Sequence, residues 1–212
     1  VRILFIGNSF TSRNNLPGLL ARLAKERGVD VEHRLISAGG ASLRQHLNAG
    51  TALAALGDGG YDTVVLQEQS TLPVKNPGRM HDSVRDFHAA IDAAGARTAL
   101  YLTWARRNAP ETQQALTTAY AGIAAEIGAT LVPVGIVWER FLGKYEHPLL
   151  HDADNSHPAL AGSYLAACVF LIALLDENPV GLDIPVKGLD ADTAALLRQA
   201  AWEICEDLAE GR

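Results

Sequence analysis

The chain has 212 residues, 48% hydrophobic and 20% charged, a length and composition that suit one domain with a sizeable core and exclude a disordered or fibrous protein. Lys and Arg number 18 against 24 Asp and Glu, a formal charge of −6; without a basic excess to attract phosphate backbones or anionic membranes, no nucleic-acid partner is expected. The 2 cysteines, Cys168 and Cys205, lie far apart in apolar helical stretches and read as free thiols rather than a disulfide framework.

Apolar, β-rich runs alternate with helical patterns along the chain, the arrangement that yields parallel strands joined by crossover helices. Strands are predicted at Arg2–Ile6, Val31–Ser37, Thr63–Gln67, Thr98–Thr103 and Thr130–Val134. Helices are predicted near Leu16–Glu26, Ser42–Leu56, His81–Ala94, Glu111–Ile127, Ala159–Leu175 and Asp192–Ala209, with Asn14 or Asn15 and Asp190 as starting signals. No linker or repeat divides the sequence, so residues 1–212 are expected to form a single domain: a three-layer α/β/α sandwich around a flavodoxin-like, five-stranded parallel sheet of order 2-1-3-4-5. The apolar run Leu160–Leu175 is interrupted by Gly162 and Ser163 and falls short of the ~20 residues a membrane-spanning helix needs, so it reads as a core helix and no transmembrane segment is expected. No basic leader precedes Val1, which favours a cytoplasmic protein unless a leader has been removed. Oligomeric state is not legible.

Polar and small residues collect at strand ends, where open α/β sheets bind ligands. The first strand runs into Ile6-Gly7-Asn8-Ser9-Phe10-Thr11. There Ser9 is a candidate nucleophile if a base accepts its proton, although a serine in this position serves as readily as a helix cap. A base is available in the polar segment 143–157, as Asp154-Asn155-Ser156-His157-Pro158: an aspartate three residues before a histidine orients the ring and stabilises its protonated form. Asp152 is the alternative orienter. The second strand leads into Ser37-Ala38-Gly39-Gly40-Ala41-Ser42 and the third into Gln67-Glu68-Gln69-Ser70. With strand order 2-1-3, Ser9, Gly40 and Gln67 meet at one edge, where two backbone N–H groups and a glutamine amide form a candidate oxyanion hole.

Other chemistries fit less well. His147 and His151 are spaced four apart, but Pro148 opposes a helix there and no metal motif is present. Asp152-Ala153-Asp154-Asn155 begins like a calcium loop but lacks its glycine and its final acidic residue. Ser9 is not in a Gly-x-Ser-x-Gly elbow, since Thr11 holds the last position. A non-catalytic module, or one binding flavin or phosphate through Ser9, Thr11, Ser12 and Asn14, is the alternative reading and leaves the Asp-x-x-His unexplained.

In these blocks the chain resembles the SGNH (GDSL-like) serine hydrolases over most of its length. Gly7-Asn8-Ser9 resembles the family's first block, Gly40-Ala41-Ser42 its second, and Asp154-Asn155-Ser156-His157-Pro158 its last. The resemblance implies an esterase with Ser9 as nucleophile, His157 as base and Asp154 as orienter. It implies an oxyanion hole from the N–H groups of Ser9 and Gly40 and the amide of Gln67 or Gln69, with no metal or organic cofactor. Where the family has Gly-x-Asn-Asp, this chain has Gln67-Glu68-Gln69, closer to the Gln-Gly-Glu variant of sialate and carbohydrate O-acetylesterases. The expected substrate is therefore a small-molecule or carbohydrate ester, an O-acetylated sugar in particular. Trp104 is a candidate platform for a sugar face, although a tryptophan after a strand is at least as often core packing.

Overall fold

Strands β1 (Arg2–Gly7), β2 (Glu32–Ser37), β3 (Thr63–Leu66), β4 (Arg97–Tyr101) and β5 (Thr130–Val132) form one parallel sheet in the order β2-β1-β3-β4-β5. The computed structural model describes residues 1–211. β1 is an interior strand, with Ile3 opposite His33 on one side and Thr63 on the other. The helices are α1 (Ser9–Ser12), α2 (Leu16–Glu26), α3 (Leu43–Ala49), α4 (Thr51–Gly57), α5 (Leu72–Lys75), α6 (Pro77–Ala93), α7 (Gln113–Ile127), α8 (Val134–Lys144), α9 (Leu160–Leu175) and α10 (Ala191–Ala209).

The two-residue period of the strands divides the core into two layers. Ile3 and Phe5 of β1, with Val65, Tyr101 and Val132, pack against α2, α8, α9 and α10; Leu4, Ile6, Val64, Leu66 and Leu100 point the other way, into α3, α4, α6 and α7. Eleven successive residues of α9, Ala161–Leu171, are buried, which explains a helix apolar on every side: it is enclosed by protein. Among the described residues, no helix is long and apolar enough to cross a membrane. Both cysteines are free; burial pushes the Cys168 thiol well up and that of Cys205 to about 12.

Besides the short helices α1 and α5 and the earlier start of α6, which the sequence pattern does not predict, two segments depart from the sequence expectation. The helix expected over Ser42–Leu56 is two helices, because Gly50 adopts φ +74° and its N–H closes α3 on the carbonyls of His46 and Leu47, a left-handed stop that glycine makes without steric cost. The other is α8, which was not anticipated: β-branched residues and Gly135 mask its helix propensity. Its buried Val134, Val137, Trp138 and Phe141 nevertheless follow the i, i+3, i+4, i+7 period, and that packing carries the helix.

Candidate active site

The order reverses at β1, which has β2 on one side and β3 on the other, so the loops at the carboxyl edge diverge into a crevice beside Ser9. Asn8 caps α1: its Oδ1 accepts from the Phe10 N–H at 3.1 Å, and its Nδ2 donates to the Ala41 carbonyl at 3.1 Å, tying the loop after β1 to the loop after β2. Ser9 is the first helical residue, where a backbone N–H has no partner within the helix. Gly7 is required by a close approach rather than by its dihedral angles. A Cβ there would stand 2.6 Å from Gln67 Oε1 and 2.7 Å from Thr11 Oγ1. The buried His46 holds the Gly7 carbonyl from the opposite side, its Nε2 donating at 2.7 Å.

Ser9 and His157 lie 148 positions apart in the chain and meet in space: Ser9 Oγ is 2.8 Å from His157 Nε2, and His157 Nδ1 is 2.5 Å from Asp154 Oδ2. An ionised carboxylate only accepts, so Nδ1 carries the ring proton and Nε2 offers its lone pair to the serine hydroxyl. Asp154 Oδ1 accepts from the N–H groups of Ser156, at 3.0 Å, and His157, at 2.9 Å. The ring bond and these backbone donors hold its carboxyl well below the usual carboxylate range, although the residue is exposed. The turn is pinned from outside as well. Trp104 Nε1 donates to the Ser156 carbonyl at 3.0 Å, the Arg107 N–H to that of Asn155 at 2.9 Å, and Asn14 Nδ2 to Pro158 O and Ser163 Oγ. Asp152, the alternative orienter, is engaged elsewhere, in an ion pair with Arg13 at 2.6 Å and a bond from the Ala153 N–H.

A cavity of about 170 Å³ opens on Ser9 and His157 and is bordered by Gly40, Gln69, Ser70 and Arg106. Gly40 stands at φ +65°, a conformation that suits glycine, and among the described residues neither its N–H nor that of Ser9 has a protein partner. Of the two glutamines, Gln67 is not at the cavity. It is fully buried, its Oε1 accepting from the Asn8 N–H and Thr11 Oγ1, both at 2.9 Å, while its Nε2 turns to the Glu68 carbonyl. Gln69 is at the cavity wall. Its Oε1 is held by Thr71 N–H, Thr71 Oγ1 and Leu72 N–H, which leaves its Nε2 without a protein partner among the described residues.

Sequence reasoning missed Glu68. Its carboxylate is fully buried, with Oε1 accepting from the N–H groups of Leu43, at 3.1 Å, and Gln69, at 2.6 Å, so one atom joins the loop that follows Gly40 to the residue at the cavity wall. Oε2 has no protein partner among the described residues. Burial pushes this carboxyl up, against the opposing pull of the two N–H groups. A charged residue between two glutamines, directly beyond an apolar strand, was the signal available.

Trp104 is a correction. It is buried, with Phe10 stacked on one face at 4.8 Å and Trp138 on the other at 3.9 Å between centroids; with both faces covered it offers no platform to a sugar. The residues considered for flavin or phosphate are also engaged internally, Thr11 with Gln67 and Asn14 with Pro158 and Ser163. His151 Nε2 donates to the Ala105 carbonyl at 3.0 Å, with its ring edge against Trp138.

A doubly wound α/β/α sandwich with a Ser–His–Asp hydrogen-bond chain at its switch point is an architecture of serine hydrolases. The chain shares 34% identity with a protein of Slackia heliotrinireducens assigned to the SGNH hydrolases, over 82% of this chain and 98% of that one, with a TM-score of 0.70. It belongs to the SGNH hydrolase family. The same fold occurs in a DUF4886 family protein of Bacteroides uniformis (20% identity, 96% and 93% of the two chains, TM-score 0.76) and in an acetylxylan esterase of Geobacillus stearothermophilus (14%, 86% and 94%, TM-score 0.68). No family model and no curated protein matches the chain.

Proposed function

We propose that the protein hydrolyses a carboxylic ester through an acyl-enzyme on Ser9. The observation that carries this reading is the continuous path from Ser9 Oγ to His157 Nε2, at 2.8 Å, and from His157 Nδ1 to Asp154, at 2.5 Å. Ser9 Oγ attacks the carbonyl carbon as its proton passes to His157 Nε2, and Asp154 stabilises the imidazolium so formed. The tetrahedral oxyanion is held by the N–H groups of Ser9 and Gly40 and by Gln69 Nε2, donors in place before charge develops. Collapse expels the alcohol, which takes the proton from His157. Water then attacks the acyl group with His157 as base, releasing the acid and restoring Ser9.

An O-acetyl group, on a carbohydrate in particular, is the substrate this reading favours. The cavity beside Ser9 is small, about 170 Å³, the third block resembles those of carbohydrate O-acetylesterases, and an acetylxylan esterase shares the fold. Ser9→Ala and His157→Ala are each expected to abolish most turnover of p-nitrophenyl acetate with an unchanged circular dichroism spectrum, and Ser9→Ala to abolish labelling by a fluorophosphonate. Wild-type turnover in either variant contradicts the mechanism. A panel of acetylated sugars, longer acyl esters and lysophospholipids tests the substrate class; preference for a long acyl chain overturns the acetyl assignment.

A further inference from the structure

Arg106 borders the cavity that holds Ser9 and His157, and it borders the adjoining cavity of about 130 Å³, which is lined by Val74, Trp104 and Leu116 and contains a second cation, Lys75. Among the described residues no carboxylate lines either cavity, and neither Arg106 nor Lys75 has an ion-pair partner. Arg13, Arg34, Arg44 and Arg85, by contrast, sit on carboxylates. The nearby Asp154 and Asp152 are committed to His157 and Arg13. On the far side of Arg106 a larger cavity of about 270 Å³ does contain an acid, Glu139, so the absence is specific to the catalytic side.

Arg106 is also a built position. The loop that carries it is fixed at Ala105, whose N–H donates to Gln113 Oε1 at 2.8 Å and whose carbonyl accepts from His151, and at Arg107, whose N–H donates to Asn155. The last two bonds reach the segment that bears Asp154 and His157, so the backbone that carries Arg106 and the catalytic turn share one scaffold. A planar guanidinium presents paired donors that match the oxygens of a carboxylate, sulfate or phosphate.

We infer that the ester processed here carries an anionic group, which Arg106 binds at the junction of the two cavities. This rests on the ester-hydrolase reading and adds a substrate class to it: an acidic ester, with the charge on the acyl or the alcohol side. Arg106 is then a specificity residue, and the field of an otherwise acidic protein is locally reversed where the substrate enters.

The test uses two matched pairs of esters. On the alcohol side meta-acetoxybenzoate is compared with meta-acetoxybenzamide; on the acyl side the p-nitrophenyl monoester of adipic acid is compared with that of its monoamide. Wild-type enzyme at low salt is expected to favour the anionic member of one pair by up to about fivefold in kcat/KM, the size of one solvent-exposed charge pair. That ratio should fall to about one in Arg106→Gln, invert in Arg106→Glu and shrink as salt is raised. A wild-type ratio at or below one in both pairs, or a ratio that Arg106→Gln leaves in place, overturns the inference while Ser9-dependent turnover of the neutral esters keeps the hydrolase reading. No Ser9-dependent turnover of any of the esters overturns both.

Discussion

Asp154→Asn changes one atom and is expected to be more damaging than deletion of the side chain. The carboxylate accepts three hydrogen bonds, from the Ser156 and His157 N–H groups on Oδ1 and from His157 Nδ1 on Oδ2. A carboxamide has one acceptor oxygen. If that oxygen keeps the two backbone donors, the amide nitrogen faces Nδ1, the ring proton moves to Nε2, and no lone pair remains for the Ser9 proton. If the amide flips, two backbone bonds are lost at about 1 kcal/mol each and an NH2 group is set against two N–H donors, so the unproductive tautomer is favoured by about 2–4 kcal/mol. At about 1.4 kcal/mol per tenfold, roughly one molecule in 30 to one in 1,000 retains a competent base. Loss of the carboxylate that stabilises the imidazolium adds to this, for a total of about 10³–10⁴ in kcat. Asp154→Ala removes the misdirecting donor and admits water to Nδ1, so it should retain more activity than Asp154→Asn. Steady-state turnover of p-nitrophenyl acetate, with a thermal melt of each variant as control, decides the matter. An Asn variant within tenfold of wild type, or a folded Ala variant slower than the Asn variant, refutes the argument. Asp152 offers no rescue, because Arg13 holds it.

Gly7→Ala places a methyl group 2.6 Å from Gln67 Oε1, an overpacking worth about 1–3 kcal/mol that should lower Tm by about 2–12 °C; an unchanged melting temperature would show that Gln67 and Thr11 yield freely. The two glutamines should separate by assay. Gln69→Leu, losing the proposed oxyanion donor, should lower kcat by about 10²–10³ at nearly constant Tm, whereas Gln67→Leu strands the buried Asn8 N–H and Thr11 hydroxyl at about 1–3 kcal/mol each and should show in the melt; the reverse pattern would exchange their roles. Glu68→Gln tests the buried carboxyl. Because the native state resists ionising this group, its carboxyl lies above the ordinary value of 4.5 and the native state binds more protons than the unfolded state across that gap. Wild-type stability should therefore fall as pH rises through the interval. The Tm of Glu68→Gln relative to wild type should climb over the same range, and a constant difference would mean that Glu68 does not titrate there.

The layered fold was legible because strands buried on both faces, such as Thr63–Leu66, leave apolar runs that no helical period explains, and because parallel neighbours require the crossover helices that separate them. Ser9, at a strand end, and Asp154 and His157, in the polar segment before α9, stood out as candidates for a related reason: small and polar residues there interrupt patterns that are otherwise apolar. Segments governed by a single backbone conformation or by packing were not, as with the left-handed Gly50 that splits a helix and the masked α8. The choice between Gln67 and Gln69 was also beyond the sequence. Alternation along a strand would put residues two apart, such as Gln67 and Gln69, on the same face, but both lie beyond the end of β3, and which of them meets Asn8 and which borders the cavity depends on where β1 and the loop after β2 lie. Trp104 illustrates the same limit, since an aromatic ring after a strand looks identical in sequence whether its faces are open or covered by Phe10 and Trp138. Local chemistry and periodicity are written residue by residue, so the sequence alone determined the layers and offered the candidate groups. Distances between groups far apart in the chain, such as the 2.8 Å from Ser9 to His157, exist only once the sheet and its loops have packed.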